Sequence, residues 1–325
     1  MKAAVLEQLG SSPIYKDFPT PEVTKEDQLL LEVQAAAVKN LDKLRAGGTH
    51  YASYTELPTI VGIDGVGVLA DGTRVYAQGV TGMLAEKAII TKNQYTIVPD
   101  RLDSFTAAAL PNAVLGAAMA LQVRGKIQPG QNILINGATG VTGLLAVQLA
   151  KYYGAKTVIT TGRNQENLEK TKALGADFII SLKQSDEEIV EQLKKQHAET
   201  PIDLVIDYVW GKPVELLIKA LKGGGLDNFT HKTRIVTVGS MAGENINLSS
   251  GVLRSSAIEI LGSGFGSLSQ EELQAFRKEI LPEMFQLAAA DKLQMGLVVD
   301  SLKNIEDLWS RQVGAGKRLV ISMEE

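Results

Sequence analysis

The run Asn136-Gly137-Ala138-Thr139-Gly140-Val141-Thr142-Gly143 constrains this chain more than any other stretch. It follows an apolar segment (Ile133-Leu134-Ile135) and opens an amphipathic one (Leu144-Leu145-Ala146-Val147-Gln148-Leu149-Ala150). A strand that feeds a helix through a glycine-rich turn suits a pyrophosphate. Small residues let the backbone approach it, and the helix N-terminus presents free N–H groups and a positive dipole end. The strand before and the helix after raise this above an ordinary glycine turn, so the stretch predicts dinucleotide binding through Gly137, Ala138, Thr139, Gly140, Val141, Thr142 and Gly143.

The surrounding text fits a sheet built for that turn. Apolar runs at 133–135, 157–160, 178–180, 202–206 and 235–238 alternate with segments of helical period at 141–153, 165–174 and 187–196. A sixth strand is expected at 257–261. Such alternation predicts βαβ crossovers and an α/β, doubly wound parallel sheet. The first hundred residues instead read as β-rich, with strands at 29–33, 59–63, 66–69, 74–77 and 88–90, and Asp71-Gly72 as a hairpin turn. Asp103 or Ser104 is positioned to cap the alanine-rich helix that follows. After the sixth strand come a helix at 270–290 and strands at 297–299 and 318–321. These have no place in the parallel sheet, so the tail is expected to return to the first domain.

Composition excludes several chemistries. A length of 325 residues suggests about two domains. The balance of 33 basic against 37 acidic residues, net −4, with no basic block, argues against a nucleic-acid or membrane surface. There is no cysteine, which removes disulfides, thiolate nucleophiles and cysteine-bound zinc, and fits a reducing cytoplasm. The N-terminal apolar run is too short for a signal peptide. The longest apolar stretch, 105–121, contains Pro111, Asn112 and Gly116 and reads as a buried helix.

Residues 131–151 resemble the cofactor turn of the zinc-free medium-chain dehydrogenases/reductases, whose best-known branch is the quinone oxidoreductases. Further similarity lies in Leu174-Gly175-Ala176-Asp177, Asp203-Leu204-Val205-Ile206-Asp207, Val236-Thr237-Val238-Gly239-Ser240 and Gly316-Lys317-Arg318-Leu319-Val320-Ile321. The resemblance implies a GroES-like β-rich catalytic domain, 1–113 completed by 263–325, with an inserted Rossmann domain, 114–262. It also implies a homo-oligomer, dimer favoured. Zinc-dependent members carry a His-Glu pair in the segment aligned with Gly62-Ile63-Asp64 and a cysteine near Asn40-Leu41-Asp42. Here Ile63 stands at the histidine position and His50, His197 and His231 are scattered, so no metal is expected. Two further departures stand out. The family's Asn-x-x-Asp appears one residue short, as Asn40-Leu41-Asp42. Gly116-Ala117 replaces a Thr-Ala pair.

The second Rossmann strand ends Thr160-Thr161-Gly162-Arg163-Asn164. An NAD site places a carboxylate here for the ribose hydroxyl. Arg163 would instead grip a 2′-phosphate, with Thr161 and Asn164 as neutral donors beside Gly162, so NADPH is the expected cofactor. Ligands lie at the carboxyl ends of such strands, which gathers Tyr208, Gly239, Ser240, Met241, Phe265 and Gly266. The resemblance assigns Gly239-Ser240-Met241 and Phe265-Gly266 to the nicotinamide and its ribose. Without zinc, charge on the substrate oxygen must be met by side-chain donors, for which Asn40, Tyr51 and Tyr54 are the candidates. The expected activity is reduction of a small electrophile, a quinone or an α,β-unsaturated carbonyl. A zinc-free carbonyl reductase or alcohol dehydrogenase and a non-catalytic NADPH-binding protein are the alternatives.

Overall fold

The computed structural model describes residues 1–223 and 230–324. The chain begins with β1 (Lys2–Leu6), β2 (Ile14–Asp17), β3 (Gln28–Val38), α1 (Asn40–Ala46), β4 (Thr59–Ile60), β5 (Asp64–Val68), β6 (Arg74–Gly79), β7 (Lys87–Ile97) and α2 (Ser104–Val114). Asp103 caps α2 by accepting the Thr106 N–H at 2.8 Å. A π-helical segment, Leu115–Arg124, continues it. The run from Ser104 to Arg124 is long and apolar enough to cross a membrane, yet 67% of its apolar window is buried inside the protein. That is the property of a core helix, as its interruptions by proline, asparagine and glycine suggested.

Next come β8 (Asn132–Asn136), α3 (Val141–Tyr152), β9 (Thr157–Gly162), α4 (Gln165–Ala173), β10 (Phe178–Ser181), α5 (Asp186–Glu199), β11 (Leu204–Asp207), α6 (Gly211–Leu221), β12 (Thr233–Thr237), α7 (Ser250–Ser255) and β13 (Ile258–Gly262). The tail holds α8 (Gln270–Ala275), α9 (Leu281–Ala289), β14 (Gly296–Ser301), α10 (Ile305–Ser310) and β15 (Lys317–Ser322).

The chain packs as two units. One comprises Met1–Asn112 and Gln274–Glu325, the other Ala113–Leu273. In the second, the strands run in the order β10-β9-β8-β11-β12-β13, all parallel. Sequence order reverses between β8 and β11, so the glycine turn leaves β8 at the switch point where such sheets bind ligands. Strand β11 is buried throughout and β8 from Ile133 onward, which explains their apolar runs. Leu134, Ile159, Val205 and Ile235 pack in one core with Leu193 of α5 and Val214 and Leu217 of α6.

In the first unit one sheet runs β14-β15-β3-β5-β6-β7, with β3 also pairing with β7. The tail does return to the first domain, since β15 pairs antiparallel with β3. A smaller sheet, β2-β1-β4, completes this unit. Two local departures from the sequence reading have clear causes. The strand expected at 59–63 stops at Ile60, because Gly62 turns the chain at φ +99°. The strand expected at 29–33 extends to Val38, because Ala35 to Val38 are buried on both faces.

Candidate active site

In the second unit the glycine turn has three distinct glycines. Gly137 adopts φ +83°, and a Cβ there would lie 2.5 Å from Val209 Cγ1, so only glycine makes this bend. Gly140 is the N-cap of α3 and offers no capping side chain. A Cβ built on it meets nothing within 4 Å. The first-turn amides of α3 are therefore bare beneath open space, the arrangement an anion needs. Gly143 is buried, and its Cβ would lie 2.6 Å from Ala138 Cα. Its role is close packing of the helix on the strand.

Arg163 is exposed at the end of β9 and has no hydrogen-bond or ion-pair partner among the described residues. Asn164 next to it caps α4 by accepting the Asn167 N–H at 2.9 Å. Asn167 in turn donates to the Thr139 carbonyl at 3.0 Å, tying α4 to the glycine turn. Gly162 packs on Thr139, whose Cγ2 would sit 2.3 Å from an added Cβ. Thr161, expected to face a 2′-phosphate, is instead buried. Its hydroxyl donates to Asn136 Oδ1 at 2.5 Å and accepts the Gly137 N–H at 3.2 Å. A hydroxyl so engaged supports the turn from beneath.

Tyr208 is also drawn away from solvent, its phenol donating to the Gly116 carbonyl at 3.2 Å. Burial raises its pKa, so it stays neutral. Ser240 is half-buried and donates to Glu244 at 2.6 Å. Gly239 packs on the Tyr208 carbonyl, 2.9 Å from an added Cβ. Met241 is 77% exposed, and Phe265 and Gly266 lie in a short 3₁₀ turn, Phe265–Ser267, with open space at Gly266.

The residue missed by sequence reasoning is Asp207, at the carboxyl end of β11. Fully buried, it accepts from Asn136 Nδ2 at 2.8 Å, the Trp210 N–H at 3.1 Å, and Val209 N–H and Thr237 Oγ1 at 3.3 Å. Burial pushes its carboxyl up to about 6, against these hydrogen bonds that favour the charge. A polar residue closing an apolar strand was the available signal, and Asn136 ends β8 in the same way.

The first unit carries the candidate donors. Asn40 is exposed at the start of α1. Tyr51 is 89% exposed, stacked against His50 with ring centroids 4.1 Å apart. Tyr54 is half-buried under the Arg45 guanidinium, 4.5 Å from the ring centroid. Its hydroxyl is inaccessible and makes no hydrogen bond of good geometry. Burial raises its pKa, which keeps it protonated as a donor. No hydrogen bond joins these three residues among the described ones.

Beneath α1 lies an ion cluster that the sequence reading did not assemble. Lys39 Nζ donates to Asp64 Oδ1 at 2.8 Å and to the Ala37 carbonyl at 2.9 Å, and lies 3.2 Å from Asp42 Oδ2. All three charged side chains are buried. Asp42 also accepts the Lys39 N–H at 2.8 Å and the Ile63 N–H at 3.1 Å. Thus Lys39, three residues before Asp42, stands where the Asn-x-x-Asp spacing calls for asparagine. Among the described residues no group of three or more histidines, aspartates or glutamates is disposed to hold a metal ion.

A family profile described as zinc-binding dehydrogenase matches residues 141–281. That segment holds two histidines, His197 and His231, and no cysteine. Among curated proteins, the chain is 34% identical over 249 residues to the chloroplastic NADPH-dependent alkenal/one oxidoreductase of Arabidopsis thaliana, which covers 69% of this chain and 61% of that relative. The chain thus spans less than two thirds of the relative's length. It is 28% identical over 319 residues to the quinone oxidoreductase of Sus scrofa, covering 94% of this chain and 88% of that one. Among solved structures, the quinone oxidoreductase of Thermus thermophilus, determined with and without NADPH, superposes with a TM-score of 0.76 at 27% identity, covering 99% of this chain and 100% of that one. With this likeness running through both units, the chain belongs to the medium-chain dehydrogenase/reductase superfamily, in its quinone oxidoreductase-like branch.

Proposed function

We propose that this protein is a zinc-independent, NADPH-dependent oxidoreductase that reduces quinones or α,β-unsaturated carbonyls. The observation that carries the reading is the cradle at Gly140, open above the bare N-terminus of α3, with an unpaired arginine at the end of the neighbouring strand. The residues fit a phosphorylated dinucleotide: amides for the pyrophosphate, a guanidinium for the 2′-phosphate, and no carboxylate at the strand end to repel it. The names of the relatives, an alkenal/one oxidoreductase and quinone oxidoreductases, support the substrate class.

When bound, NADPH supplies the hydride. The chain's tasks are to hold the cofactor, exclude water and meet the charge that develops on the substrate oxygen. Gly137 to Gly143 hold the pyrophosphate and Arg163 the 2′-phosphate, with Asn164 beside it. The exits Gly239-Ser240-Met241 and Phe265-Gly266 hold the nicotinamide side. On the first unit Tyr54 is a candidate donor whose phenol stays protonated but is enclosed by the protein. Tyr51 and Asn40 are exposed donors on the same unit. Ile63 at the histidine position and the absence of cysteine support chemistry without zinc. The reading extends to a homo-oligomer, dimer favoured, and to a cytoplasmic location, which a cysteine-free chain suits.

The test is a substrate panel with NADPH, following nicotinamide absorbance. Turnover of quinones or enals, with none of simple aldehydes, is the expected result. Turnover of aldehydes alone would make the protein a carbonyl reductase. Cofactor binding with no turnover would make it a non-catalytic NADPH-binding protein.

A further inference from the structure

Four strand ends of the second unit are joined by side chains that take no part in the phosphate contacts above. Thr161, Asn136, Asp207 and Thr237 are cross-strand partners on β9, β8, β11 and β12. Their side chains form one run of hydrogen bonds. Thr161 Oγ1 donates to Asn136 Oδ1 at 2.5 Å, Asn136 Nδ2 to Asp207 Oδ1 at 2.8 Å, and Thr237 Oγ1 to Asp207 Oδ2 at 3.3 Å. The carboxylate is the only group in the run that can solely accept, so its charge orients the rest.

The loops at the carboxyl ends of the strands hang from this rail. Thr161 Oγ1 accepts the Gly137 N–H, and the Asp207 carboxylate accepts those of Val209 and Trp210. The Asp207 carbonyl accepts the Val238 N–H at 2.7 Å. Trp210 adopts φ +52°, which side-chain-bearing residues rarely do, and its amide is held by the carboxylate. The Val209 side chain in turn packs beside Gly137.

We infer that Asp207 is a positioning residue for the cofactor site: its ionised carboxylate holds the glycine turn, the 208–211 exit and the β12 exit in the register that receives the dinucleotide, and protonation loosens that hold. This rests on the dinucleotide reading above. The group would act through the loops, without touching the cofactor. All four of its partners donate, so a proton on the carboxyl adds a donor that only a turned Thr237 hydroxyl could accept. The remaining bonds lose their charge assistance. Burial brings the ionisation close to neutrality. Tyr208 is the titratable group beside it and remains neutral, its phenol turned to Gly116. Asn136, Thr237 and the two amides around the carboxylate carry no charge.

The experiment measures NADP⁺ dissociation constants by calorimetry for the wild type and Asp207→Asn from about pH 5 to pH 8. A 2′-phosphate has its own ionisation near pH 6, so the quantity read is the ratio of variant to wild type, from which that effect cancels. The variant is expected to bind roughly tenfold more weakly at the alkaline end, the worth of one charge-assisted bond, with the ratio falling toward unity at the acid end. A ratio independent of pH would overturn the inference. Should Asp207→Asn fail to fold, Thr237→Val decides. It removes one donor from the carboxylate and raises its pKa, so its ratio to wild type should peak between about pH 6 and pH 7. A flat ratio there overturns the inference equally. A wild type that binds NADP⁺ at no pH overturns the dinucleotide reading, and this inference with it.

Discussion

Lys39 and Asp64 form an ion pair inside the first unit, Nζ to Oδ1 at 2.8 Å, with both side chains withdrawn from water. Asp42 is the second carboxylate on the same ammonium, and the Arg318 guanidinium, half-buried on β15, acts on both acids. Burial works against the charge on Lys39, but Asp42 and Asp64 outweigh it and hold its pKa above the usual lysine value.

Lys39→Met should destabilise the protein by about 3–5 kcal/mol, because it takes from two buried carboxylates the ammonium they directly contact and leaves only the Arg318 guanidinium to offset their charge. Adding Asp64→Asn to that variant should recover part of the loss. Urea denaturation midpoints of the three proteins provide the comparison. A loss below about 1 kcal/mol in Lys39→Met would mean that the carboxylates are not held charged by Lys39.

The two glycines of the turn should respond differently to a side chain. Gly140→Val should abolish NADPH binding while leaving the apo melting temperature nearly unchanged, since its Cβ enters empty space. Gly143→Val should lower both, at roughly 1–3 kcal/mol or more, because its Cβ meets backbone. Apo melting curves and NADPH titrations separate the cases. Normal binding by Gly140→Val would sink the cofactor assignment.

Arg163→Ala should weaken NADPH binding by about 1.5–3 kcal/mol and hardly change NADH binding. Fluorescence titration with both nucleotides reads the difference. Equal weakening of the two would show that Arg163 does not recognise the 2′-phosphate.

Asp207 should also leave a signature in apo stability, opposite in sense to its effect on the cofactor. In the unfolded chain it titrates near the ordinary aspartate value, and in the folded protein near 6. Between the two, the folded state keeps a proton that the unfolded state has released. Its contribution to stability therefore falls as pH rises through that window, by about 3 kcal/mol, and stays low above it. Asp207→Asn should remove this slope, even as its affinity for NADP⁺ drops. Melting temperatures of the two proteins from about pH 4 to pH 8 test this, and identical slopes would contradict it.

Metal dependence can be tested directly on whichever substrate turns over. Activity should survive exhaustive chelation, and elemental analysis should find no stoichiometric zinc. One-to-one zinc that follows activity through removal and re-addition would refute the zinc-independent reading.

Patterns confined to a few neighbouring residues were legible in the chain itself. The apolar runs announced β8, β9 and β11, because strands covered on both faces have no polar side to show. The turn from 137 to 143 announced its own geometry, since glycine spacing between strand and helix is a local property. The orphaned strands at 297–299 and 318–321 pointed back to the first domain, and β15 does pair with β3. What only the tertiary structure decided are the polar partnerships across chain distance. Asn136 and Asp207 stand 71 residues apart and Lys39 and Asp64 stand 25 apart, and no local periodicity encodes which buried charge meets which. Thr161 illustrates the limit. Its place at the end of a strand was readable, but the direction of its hydroxyl depended on an asparagine of the adjacent strand. Register between strands is set when whole sheets pack, and buried polar groups must then find partners among whatever that packing brings near.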